Sequence, residues 1–249
     1  MNIEISVSNE LNRWMGLDAP RLVRKGSAVV GAQPISTSSH TVSWQAHFFT
    51  HHNDSASSFY TLVAVQAGSQ YTLLIPYLHR PTQEQLAGDL VYRWGNELIH
   101  RMVDSGAIEK GDVEEVAEQF KGCNRRILWY LNSDPVLSDR ATDSSQWLEG
   151  YLEAFELDHL EEDHTIDLGA HINGQSASTD GIEENKAAMI SFVNDGLYRF
   201  ARGLCREEFE GTEIGDFPYP WGDSPPQKRV PANSRVVRQL HGVVTDRDR

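Results

Sequence analysis

Between Val42 and Tyr77 the chain carries three apolar-rich runs separated by short turn sequences, and a long amphipathic run follows directly. This order constrains the fold more than any other feature. Val42, Trp44, Ala46 and Phe48 alternate with Ser43, Gln45, His47 and Phe49, the pattern of a strand with one apolar face. His51-His52-Asn53-Asp54-Ser55 is turn chemistry, Phe59–Ala67 reads as a second strand, Ala67-Gly68-Ser69 as a tight connection, and Tyr71–Tyr77 as a third strand. Strands joined by short turns pair antiparallel. A sheet with an apolar face must be covered. Leu86, Leu90, Val91, Trp94, Leu98, Ile99, Met102 and Val103 recur at helical spacing and supply a stripe to cover it. Thr82 and Gln85 read as the cap of that helix and Gly106 as its end.

Around this centre the sequence predicts an α+β domain whose small antiparallel sheet is built from residues 3–7, 42–50, 58–67 and 70–76. Ile3, Ile5 and Val7 alternate with polar residues as a short strand, and Ser8 or Asn9 caps a turn through Leu11, Trp14 and Met15. Residues 16–40 read as a long loop. Residues 82–104 and 112–120 read as helices, 126–157 as a helix bent or restarted at Pro135, 168–181 as a polar linker, and 182–209 as an amphipathic helix. The expected organisation is one domain over 1–209. An extended tail over 210–249 follows, in which Phe217, Tyr219 and Trp221 alternate with prolines.

Composition narrows the function classes. The formal net charge of −14 disfavours broad binding to nucleic acid, whose affinity rests on phosphate neutralisation, and disfavours anionic membrane surfaces. A protein partner is therefore expected over nucleic acid, with no membrane partner. From Gln227 onward six basic residues stand against two aspartates, a net of +4 on an otherwise acidic chain. No run approaches the roughly 20 apolar residues of a membrane helix. Residues Met1–Glu10 lack the basic start and apolar core of a secretory signal, and two distant cysteines, Cys123 and Cys205, make no disulfide framework. A cytoplasmic setting is expected. No phosphate-binding loop, dinucleotide turn, nucleophile elbow or C-x-x-C pair is present, so no cofactor is expected.

Two histidine groups resemble metal sites only in composition. His159 and His164 are five apart, which points them in different directions on a helix, and the acidic run 158–164 reads as a solvated turn. His47 and His51 share a strand face, but about 13 Å of extended chain separates them. The strongest polar candidate is Asn124-Arg125-Arg126 with Asn132, around an apolar run. With 126 onward as a helix, Asn124 caps it, free amides lie at its start, and the arginine forks suit a carboxylate or phosphate. The alternative is that Arg125 braces the acidic helix 112–118. Cys123, His47 and Asp134 are weaker candidates, Cys123 because cations and a helix start both favour a thiolate.

The order Ile3–Val7, Asn9-Glu10-Leu11, Trp44-Gln45-Ala46-His47, a hairpin, a long helix and then Asn124-Arg125-Arg126…Asn132 resembles a bacterial family known only as a domain of unknown function. Its motifs read close to W-Y-A-N and N-R-S-x-x-G-x-x-N-D. Trp44, Ala46, Asn124, Arg125 and Asn132 match them; Gln45, His47, Arg126 and Trp129 depart, and Ser133 separates Asn132 from Asp134. The resemblance covers about residues 1–175 and implies a small α+β domain in a prokaryotic cytosol with no assigned activity. Two functions stay open: a non-enzymatic binding or regulatory module, and a hydrolase or nuclease-like enzyme acting on an anionic substrate through the Arg125/Asn132 region.

Overall fold

The computed structural model describes residues 1–23, 29–52, 58–174, 182–201 and 204. Five strands, β1 (Asn2–Val7), β2 (Thr41–His52), β3 (Ser58–Gln66), β4 (Thr72–Tyr77) and β5 (Arg126–Leu131), form one sheet in the order β4-β3-β2-β1-β5. The helices are α1 (Asn9–Met15), α2 (Gln83–Asp104), α3 (Val113–Gly122), α4 (Pro135–Phe155), α5 (Glu162–Gly174) and α6 (Ile182–Phe200). The α+β class expected from the sequence is observed. The sheet, however, is mixed: β2, β3 and β4 pair antiparallel, while β1 lies parallel to both β2 and β5.

The largest correction concerns 126–131. The segment expected to begin a helix is β5, and the helix starts only at Pro135. A six-residue apolar run has no decisive period, and its Ile, Trp and Tyr fit a pleated surface as well as a helix face. Ile127 and Trp129 stand beside Ile3 and Ile5, on the same side of the sheet. The linker expected over 168–181 is also corrected as far as it is described: α5 continues to Gly174, and the acidic run before it ends in this helix rather than in a turn. Thr165, Leu168 and Ile172 form its buried face, a stripe masked by polar neighbours. The last helix, expected to run to 209, ends at Phe200, and the expected tail over 210–249 lies outside the described residues.

Both faces of the sheet are covered. Ile3, Ile5, Trp44, Ala46, Leu62 and Leu73 pack beneath α2, α3 and α6, through Leu90, Trp94, Phe120, Phe192 and Phe200. On the opposite face Val63, Val65 and Leu74 meet Leu137, Leu148, Leu168 and Ile172 of α4 and α5. The capping box at Thr82 and Gln85 is present, with each side chain accepting from the other residue's backbone N–H. Gly95 and Gly196 permit close helix contact: a Cβ at Gly95 would stand 2.7 Å from the Phe120 ring, and one at Gly196 would overlap Leu98 and Met102.

Trp44 is fully buried and meets Trp94 edge-on at 5.9 Å. Trp44→Ala is expected to lower stability by about 3–5 kcal/mol in denaturant unfolding. An unchanged midpoint would show that this face of β2 is not core.

Candidate functional site

Strands β1 and β5 run side by side, and each leads into a helix at its carboxyl end. After β1, Ser8 Oγ accepts from Leu11 N–H at 3.1 Å and caps α1. After β5, Asp134 Oδ1 accepts from Val136 N–H at 3.0 Å and Leu137 N–H at 3.3 Å and caps α4, with Pro135 in the first turn. The carboxyl ends of parallel strands are where open α/β sheets commonly bind ligands.

Gln45, fully buried on β2, ties these ends together. Its Nε2 donates to Ser6 O at 3.2 Å and Asn132 O at 3.0 Å, and its Oε1 accepts from Asp134 N–H at 2.9 Å. Asn132 N–H in turn donates to Val7 O. The Asn132 side chain pairs with one residue of the long connection. Oδ1 accepts from Gln33 N–H at 2.8 Å and Nδ2 donates to Gln33 O at 2.9 Å. Asp134 Oδ2 accepts from Ile35 N–H at 2.8 Å. Asn132 and Asp134 are both buried, and these bonds occupy their side chains with backbone groups. The cluster is a clamp holding residues 33–35 against the strand ends.

His47 lies one residue beyond the β1–β2 pairing, with its Nε2 3.1 Å from Ser138 Oγ on α4. Burial holds its pKa below the ordinary 6.5, opposed by the Glu10 carboxylate on α1.

The arginines lie at the other end of β5. Asn124 and Arg125 precede β5 and Arg126 begins it, so Asn124 caps no helix and no free helix-start amides lie beside it. The amino terminus donates to Asn124 O at 2.9 Å, and Arg126 N–H donates to Met1 O. The Arg125 guanidinium lies 4.1 Å from the centre of the Phe120 ring and donates to the Phe120 carbonyl in the last turn of α3. Burial disfavours its charge, the neighbouring Cys123 acting in the opposite sense. It braces the acidic helix, but at its carboxyl end through ring and backbone, where a cation meets the negative end of the helix dipole. Cys123 is a free, half-buried thiol. The length of β5, about 20 Å, separates this group from Asn132 and Asp134, so the residues expected to form one site do not converge.

His159 stacks on Phe59 at 4.8 Å, and His164 Nδ1 accepts from Glu161 N–H at 3.2 Å. Among the described residues no group of three or more His, Cys, Asp or Glu side chains could hold a metal ion. No helix among them is long and apolar enough to cross a membrane.

Sequence reasoning missed Gln33, Gln45 and Ser138. Gln45 sits opposite core Trp44 in the alternation and reads as solvent-facing until the second helical layer is known. It also missed a buried ionic group, in which Glu97 lies 3.3 Å from both Arg93 and Arg101. Tyr71 donates to Glu97 at 3.2 Å, accepts from Arg101 Nε at 3.1 Å and stacks on Phe192 of α6 at 3.9 Å. Burial first, and then Glu97, push the Tyr71 hydroxyl far above its usual pKa. This group locks α2 to the residue before β4 and to α6.

The chain matches no family model, no curated protein and no solved structure among those compared.

Two outcomes test the clamp and its neighbour. Asn132→Ala removes both side-chain hydrogen bonds to the Gln33 backbone and is expected to cost at least about 2 kcal/mol in denaturant unfolding. For His47, the unfolded chain takes up a proton near 6.5 while the folded chain resists it, so stability falls as pH drops below 6.5. His47→Gln should flatten that part of the pH–stability curve, below 6.5. An unaltered slope would show that His47 is not held neutral.

Proposed function

We propose that this chain is a non-enzymatic binding or regulatory protein of a bacterial cytosol, with a protein as its partner. One observation carries the reading. The polar side chains best suited to chemistry stand at opposite ends of β5 and are already committed: Arg125 to the Phe120 carbonyl and ring, Asn132 to Gln33, and Asp134 to Ile35 and the first turn of α4. Kinship with the family of unknown function belongs to the same proposal. Of the residues matching its motifs, Trp44 packs in the core, Asn132 clamps the long connection and Arg125 fastens the end of α3, which are duties of a fold signature more than of a reaction centre. The net charge of −14 favours a partner with a basic or mixed surface over a polyphosphate.

Thermal unfolding of the wild type and of Arg125→Lys, each with and without phosphate, tests this reading. Lys cannot reproduce the planar contact and the directed donor, so the variant is expected to unfold about 2–6 °C lower, by the same amount in either buffer. Phosphate stabilising the wild type and not the variant would reverse the reading in favour of an anion site. Under the binding reading a pull-down from the native host retrieves a protein.

A second reading, a hydrolase, draws on the His47–Ser138 hydrogen bond, since a neutral imidazole beside a hydroxyl can act as its base. Asp134 already takes the N–H groups of Val136 and Leu137, which leaves that helix start little to offer an oxyanion. Under the binding reading a fluorophosphonate probe leaves Ser138 unlabelled. Labelling of Ser138 that disappears in His47→Gln would establish the hydrolase instead.

A further inference from the structure

We draw no further inference here: the strongest candidate, the outer edge of β5 at residues 127–129, beside the bridge that Arg21 makes to Leu131, carries none because nothing among the described residues shows what covers it.

Discussion

Strand β1 is hydrogen-bonded in parallel on both sides, to β2 and to β5, and parallel neighbours cannot be joined by a tight turn. The passage from β1 to β2 must travel back along the sheet, and α1 with residues 16–40 makes that return. A connection this long with little regular structure would dissipate the order of the strands it joins unless something fixed it. Asn132, Asp134 and Gln45 fix it. The amide of Asn132 treats Gln33 as a neighbouring strand would, Asp134 holds Ile35 while capping α4, and Gln45 keeps both anchors against the end of β1. Each is buried, so each unmade bond would cost the full desolvation of a polar group. The network is worth most where it is complete, and every amide atom of Asn132 and Gln45 has a partner.

The same constraint explains which parts of the fold were legible in the sequence. The β2–β3–β4 meander and α2 could be read because their contacts are local: short turns set the pairing, and the stripe from Leu86 to Met102 shows one apolar face. The parallel pairing of β1 could not be read, because nothing near Ile3 or Ile5 records that their partners lie at Trp44 and Trp129. Strand β5 was hidden by its length, six residues without a decisive period. Helix α5 was hidden by its composition, since His171 and Asn173 are buried among polar neighbours and Asn173 serves the β4 edge.

The candidate site was misread for a related reason. Asn124, Arg125, Asn132 and Asp134 are close in sequence, and a helix through 126–131 would have kept them within about three turns of one another. A strand sets the same residues at opposite ends of β5, about 20 Å apart. Arg125, Asn132 and Asp134 hold directed hydrogen bonds, and their partners are backbone carbonyls and amides of this chain. The bracing role for Arg125 was legible in outline. Its target was not, because a phenyl ring and a helix-end carbonyl leave no charge complement in the sequence. Gln45 and Ser138 gave no usable signal, since a lone Gln on a strand and a lone Ser on a helix are ordinary residues until β2 and α4 are brought together.

The central claim is that the polar cluster at the carboxyl ends of β1 and β5 is a permanent clamp on the long connection. Native-state hydrogen exchange at the Gln33 and Ile35 amides measures this most directly, because those two N–H groups donate to Asn132 and Asp134. With no ligand added, both should exchange as slowly as the amides of β1, through the same global opening. Fast exchange at Gln33 and Ile35 beside slow exchange in β1 would contradict the account, because the clamp would then be open in the resting protein.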